Sequence, residues 1–361
     1  MKHPFIITGL MLAFLILPVT LGTSGCISSP PEKTAVRVLC AGSLMIPFNQ
    51  IEDKFEALNP DVDIEIEGHG SIQVIRRVTE LDELSDIVAV ADHYLIPLLM
   101  YQTRIPGSDT SYADWYVKFA TNSIGIAYSP DSRYADEINA DNWHEILSRP
   151  DVRIGVSDPR LDPCGYRALM LCRLAEDYYQ QPGIFESVFG SFNLPVTMTE
   201  ADGVTILSLP EIMRPGDGRI IFRGSSVWLI PLLEAGDADY VFEYESVARQ
   251  HGVDFLELPP QINLSQTEYA DNYGTVSCKL DFQRFNSVDP EFIGQPIIYA
   301  MTIPNNAPHP EIAEAFIKFV TGPSGQRRFT DNYHPQLTQL KADRPENIPG
   351  GLADILSDTT E

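Results

Sequence analysis

Residues Val36–Ala91 read VRVLCAGSLMIPFNQIEDKFEALNPDVDIEIEGHGSIQVIRRVTELDELSDIVAVA, and the punctuation of this stretch decides the fold. Val36 to Cys40 is a short apolar run that ends in the turn Ala41-Gly42-Ser43. Phe48, Ile51, Phe55 and Leu58 then fall on one face of a helix, which Asn59-Pro60 stops. Val62, Ile64 and Ile66 alternate with acidic residues, as in a strand with one buried face. Gly68-His69-Gly70-Ser71 makes the next turn, with Ser71 placed to N-cap a helix carrying Ile75, Val78 and Leu81. Asp86 to Ala91 is nearly all apolar, as a central parallel strand requires. The order β-α-β-α-β predicts an α/β fold with a doubly wound sheet.

The middle of the chain continues in the same style. Ile124 to Tyr128 and Ile154 to Val156 read as strands, and a long helix with Ala168, Leu171, Leu174 and Ala175 on one face follows the loop Ser157 to Leu161. Ser225-Ser226 precedes a helix that ends near Ala235-Gly236; Pro231 requires this helix to start late or to kink. Tyr240 to Tyr244 is a strand, and so is Ile298 to Ile303, which Pro304 stops. The last helices begin before Ile312 and at Gly322-Pro323. The chain beyond residue 35 is long enough for two domains of ordinary size.

Residues 1–26 read as a targeting segment. Lys2 is followed by the apolar run Phe5 to Leu21 and by Thr23-Ser24-Gly25-Cys26. This resembles a lipoprotein signal, which implies that Cys26 carries lipid and becomes the mature N-terminus, although Thr23 stands where the usual pattern has an aliphatic residue. Residues 27–35, with Pro30-Pro31, read as a tether. No later segment offers about 18 uninterrupted apolar residues. A net charge of −25 argues against nucleic acid or an anionic membrane surface as partner, so any bound anion has to be held by local dipoles. Cys40, Cys164, Cys172 and Cys278 have no metal-type spacing, and none of the seven histidines forms an i, i+4 pair.

Three polar turns each follow a strand and open a helix: Gly42-Ser43, Gly70-Ser71, and Asp162-Pro163-Cys164-Gly165. Helix N-termini present unpaired N–H groups and a positive dipole end, which makes an anion site without net positive charge. Such turns gather at the carboxyl edge of an open α/β sheet. Each turn taken alone is also an ordinary cap, and Asp162-Pro163 is a good N-cap and N1 pair. A carboxylate facing an oxyanion repels it, unless the central atom is a metal that accepts further oxygen ligands. Molybdenum and tungsten can do so; sulfur and phosphorus in sulfate and phosphate cannot. A competing reading makes Cys164 the nucleophile of a hydrolase, with His69 as its base.

The runs Ala41-Gly42-Ser43-Leu44, Glu67 to Ser71, Asp86 to Asp92, Lys118 to Asn122, Asp162 to Arg167 and Glu243 to Ala248, together with Ile297-Ile298-Tyr299, resemble the archaeal molybdate/tungstate-binding proteins. Those are the solute-binding components of ABC importers. The resemblance implies a type II periplasmic-binding-protein-like fold, with two lobes of mixed, mostly parallel sheets joined by crossover strands. It implies lobe I from residues 36–119 and 285–361, and lobe II from residues 120–284. It implies an oxyanion site of Gly42, Ser43, Ser71, Asp162, Pro163, Cys164, Ser226 and Tyr244, with Asp162 bound to the Mo or W of the ligand. The family has a second metal-ligating glutamate in a segment resembling Arg-Pro-Lys-Glu. This chain has Arg223-Gly224-Ser225-Ser226 there, so Ser226 takes the glutamate's place. Glu243 neighbours Tyr244 on a strand, is expected to face the other way, and is not expected to substitute. The further implications are no enzymatic activity, no cofactor, an ABC permease and its ATPase as partners, a monomer, and a place on the outer face of the membrane held by lipid alone. Sulfate or phosphate remains the alternative ligand on the same fold.

Overall fold

The computed structural model describes residues 33–282, 285 and 290–359. The expected signal, the lipidated Cys26 and most of the tether lie outside the described residues. The strands are β1 (Thr34–Ala41), β2 (Val62–His69), β3 (Ile87–Val90), β4 (Val117–Thr121), β5 (Ile124–Tyr128), β6 (Ile154–Ser157), β7 (Thr197–Ala201) and β8 (Val204–Leu209). They continue as β9 (Ile220–Arg223), β10 (Tyr240–Tyr244), β11 (Asp254–Leu256), β12 (Val276–Leu280), β13 (Glu291–Ile293), β14 (Ile298–Thr302) and β15 (Gln336–Ala342).

The opening stretch builds one half of a six-stranded sheet ordered β15-β4-β14-β3-β1-β2, with β2 at its edge. β1 pairs in parallel with both β2 and β3, while β14 pairs antiparallel with β3 and with β4. All four β3 side chains are fully buried, which is why the sequence shows no alternation there. The helix Met45–Leu58 covers one face through Phe48, Ile51 and Phe55, and Phe48 and Phe55 meet Phe316 of the helix Pro310–Thr321 edge to face. The helix Ser71–Thr79 is shorter than its periodicity suggested, so Leu81 falls beyond its end and is exposed.

A second, five-stranded sheet has the order β11-β5-β10-β6-β9, with β10, β6 and β9 parallel. The chain crosses between the two sheets at Asn122-Ser123 and again beside Asn263 and Leu264. Ile124 N donates to Asn263 O at 3.0 Å, and Ile297 N donates to Leu264 O at 2.8 Å. Both sheets are mixed as expected. Parallel pairing runs from the middle of each to one edge, through β3-β1-β2 and β10-β6-β9, however, and antiparallel pairs outnumber parallel ones among the described strands.

A third, four-stranded sheet, β13-β12-β8-β7, was not anticipated. Its β7–β8 hairpin turns at Asp202 (φ 51°) and Gly203 (φ 82°), the left-handed pair that an Asp-Gly dipeptide favours. Because β13 pairs with β12, the chain rejoins the first sheet only at β14, later than residue 285. Among the described residues, no helix is long and apolar enough to cross a membrane.

Candidate functional site

The carboxyl edges of the two sheets face each other, and the three turns meet there. The first turn, Gly42–Leu44, is a single 3-10 turn before the helix Met45–Leu58. It packs so closely that a Cβ on Gly42 would stand 2.8 Å from Ser225 Oγ. Ser43 shares a 2.9 Å hydrogen bond with the Tyr299 hydroxyl, and Tyr299 accepts from Asn122 Nδ2 of the crossover, also at 2.9 Å. The first wall is thereby tied to the hinge.

At the second turn, Gly70 is the N-cap and Ser71 the first helical residue, so the helix starts one position earlier than expected. The reason is the close approach of the opposite lobe, which leaves no room for a side chain on residue 70. A Cβ on Gly70 would lie 2.5 Å from Leu161 O and 2.8 Å from Gly224 O. The Ile72 and Gln73 amides donate to Leu161 O at 3.2 and 3.4 Å, so protein rather than ligand takes these two N-terminal donors. The Ser71 hydroxyl accepts from Ala91 N at 2.9 Å, which leaves its proton to donate.

The third turn opens the helix Pro163–Tyr179. Asp162 is its N-cap, accepting from Cys164 N at 2.8 Å, with Pro163 in the first turn. Its other oxygen accepts from Ser226 N at 3.1 Å. The capping role is therefore real, and each oxygen keeps lone-pair capacity for another partner. Burial pushes the Asp162 carboxyl up to about 6, against the lowering effect of those two amides. Gly165 allows the helix to lie against the preceding loop, where a Cβ would meet Ser157 O at 2.1 Å.

Ser226 begins a 3-10 turn, Ser226–Leu229, that passes into the helix Ile230–Glu234, so Pro231 sits comfortably in a first turn. All eight expected site residues are buried. Cys164 is no nucleophile: its thiol donates to Phe242 O at 3.5 Å, and burial raises its pKa well above the ordinary value. Asn263, beside the second crossover, is buried, and its side chain donates to Leu258 O at 2.9 Å.

The sequence reading missed two charged residues. Arg167, 1% exposed, lies one and a half turns into the helix that Asp162 caps. Its Nη1 donates to Tyr244 Oη at 2.7 Å and to Ala91 O at 2.9 Å, and its Nη2 lies 3.2 Å from Asp92 Oδ2. Tyr166 also donates to Asp92. Burial alone would lower the Arg167 pKa, but Tyr244 and Asp92 more than reverse this, so a full positive charge sits behind Tyr244.

Glu243 is the second. It faces away from Tyr244 along the strand, as period-two alternation demands, yet it borders the site. The reason is that β10 ends here: Tyr244 reaches Arg167 on one face, while Glu243 meets Ser226 and Asp162 on the other. Burial pushes the Glu243 carboxyl up to about 8; the Tyr244 amide and Ser226 oppose this, and Asp162 adds to it. The facing expected for Glu243 is the one observed. Among the described residues, no cluster of His, Cys, Asp and Glu could hold a metal ion.

Residues 36–333 match the family described as bacterial extracellular solute-binding protein. A solute-binding protein of Petrotoga mobilis is 42% identical over 319 residues, spanning 88% of this chain and 89% of its own. The molybdate/tungstate-binding protein of Thermococcus kodakarensis is 39% identical over 358 residues, spanning 95% and 96%. The structure of the periplasmic molybdate-binding protein of Azotobacter vinelandii superposes with a TM-score of 0.54 at 15% identity, covering 84% of this chain and 100% of that one, a likeness of fold.

Proposed function

The chain belongs to the bacterial extracellular solute-binding protein family, whose members bind solutes and are not enzymes, and we propose that its solute is molybdate or tungstate. The anion is held between the two lobes by Gly42, Ser43, Ser71, Ser226, Tyr244 and the Pro163-Cys164 backbone, and Asp162 supplies an oxygen to its metal. The protein then hands the anion to an ABC permease driven by its ATPase. It works as a monomer without a cofactor, and the lipid on Cys26 keeps it at the membrane's outer face.

The observation that carries this reading is the Asp162 carboxyl, buried at the meeting of three donor-rich turns. Sulfate has no proton to give a carboxylate in that position, and phosphate can meet one only through its own O–H, whereas a metal-centred oxyanion can bond the carboxylate at its metal. The length of the match to the Thermococcus protein supports the same choice. One observation favours sulfate or phosphate instead: backbone amides already engage both Asp162 oxygens, which would suffice for a cap. Calorimetric titration with molybdate, tungstate, sulfate and phosphate tests the reading. Tight binding of either metal oxyanion is expected, and tight sulfate binding with no heat from those two would overturn it.

A further inference from the structure

We propose that Glu243 contacts the bound anion directly and biases the site toward anions whose central atom accepts an extra oxygen. This rests on the oxyanion reading above and concerns a side chain to which that reading gives no part.

The geometry carries the inference. Glu243 is fully buried, and its two oxygens have different surroundings. Oε1 accepts from its own neighbour, Tyr244 N, at 2.7 Å, which fixes the carboxyl at the end of the strand. Oε2 has no hydrogen-bond partner, an arrangement that folded proteins avoid unless something else fills the need. The group lies among the candidate site residues: its charge acts on Asp162, Cys164 and Tyr299, and the Ser226 side chain lies beside it.

A buried carboxyl without a cation partner is costly to keep for structure alone. With a molybdate or tungstate ion it has a definite use. Glu243 releases the proton it carries to solvent, a lone pair of Oε2 is donated to the metal, the coordination number rises by one, and no electron transfers. With Asp162 doing the same from the helix N-cap, two carboxyls approach one metal from different elements of the second lobe. Sulfate and phosphate cannot accept such a bond, and sulfate meets only repulsion from an ionised Glu243.

The test is titration of the purified protein and its Glu243→Gln variant with sodium molybdate, tungstate, sulfate and phosphate, alongside the melting temperature without ligand. Glutamine keeps the shape and the acceptor for Tyr244 N but is a poor metal ligand. The expected result is a roughly tenfold to hundredfold loss for molybdate and tungstate, a smaller or opposite change for sulfate, and an unchanged or higher melting temperature. A Glu243→Asp variant, whose arm is shorter, should lose affinity while keeping the charge. Unchanged affinities in Glu243→Gln for every anion that the wild type binds would overturn the proposal. If the wild type binds sulfate and neither metal oxyanion, the ligand reading fails by itself. Glu243 is then judged on sulfate, and an unchanged sulfate affinity sinks it too.

Discussion

The two walls of the site are built from different materials. The candidate residues of the first wall, Gly42, Ser43 and Ser71, carry no formal charge and offer hydroxyls, backbone and the ends of helices. The second wall holds Asp162, Arg167 and Glu243, all buried within a few residues of one another in space. Hydroxyls and amides suit any tetrahedral oxyanion about equally, because they read oxygen and not the central atom. Charged groups out of water discriminate, because each must be compensated and only some ligands compensate it. The comparison teaches that affinity for anions in general belongs to the first wall and the choice among them to the second. In a chain of net charge −25, the buried arginine of that wall is paired with Asp92.

The sharpest way to break this division is at Arg167. Arg167→Met strands Asp92 in the interior, which is expected to cost about 3–5 kcal/mol of stability, seen as a lower melting temperature. The double variant Arg167→Met/Asp92→Asn should recover much of that loss. No recovery would mean that the arginine's worth lies elsewhere than in the ion pair.

Next comes Asp162→Ala, which removes a cap worth ~0.5–2 kcal/mol and strands the Ser226 amide. Metal-oxyanion affinity should fall and discrimination against sulfate should relax. Reduced stability with unchanged selectivity would return Asp162 to its capping role.

The charged wall also predicts a pH dependence. The Glu243 carboxyl, raised by burial from its ordinary 4.5 to about 8, holds its proton longer in the folded protein than in the unfolded one. The folded state therefore binds more protons between those values, so ligand-free stability should fall as pH rises from about 4.5 through 8. Asp162, raised to about 6, adds to the same slope at its lower end. Melting curves across this range check the sign, and Glu243→Gln should flatten the upper part. A wild-type stability that climbs steadily toward pH 8 would contradict it.

The first wall should answer more mildly. Ser43→Ala loses the bond to Tyr299, worth about 1 kcal/mol or roughly fivefold, and should weaken all four anions alike. A change in selectivity would show that the walls do not divide the work as described. Smallest of all, Cys164→Ala keeps the backbone that Asp162 caps and should leave anion affinity unchanged.

Much of the fold was legible because local signals agreed with the tertiary outcome. Gly42-Ser43, Asn59-Pro60 and the apolar run before Asp92 each mark an element boundary that the structure keeps. The eight candidate residues were legible as turns and as a family pattern, and all eight are buried. What stayed hidden depends on the other lobe or on where a strand stops. Ser71 gave up the N-cap to Gly70 because Leu161 and Gly224 crowd that position from another part of the chain. Arg167 looks like any helical arginine until Asp92 and Tyr244 are placed around it. The surroundings of Glu243 stayed hidden because alternation gives the face of a strand but not what packs beside the strand's end. The third sheet carried a local signal, Asp202-Gly203, but its pairing with β12 joins segments far apart in sequence.

The most direct test of the central claim is displacement: purified protein saturated with sulfate is titrated calorimetrically with molybdate, and the ion at the site is then identified. If the buried carboxyls of the second wall select for a metal centre, molybdate displaces sulfate at much lower concentration and Asp162→Ala narrows the gap. If sulfate resists displacement, or the two anions compete on equal terms, the second wall does not select for a metal and the assignment is wrong.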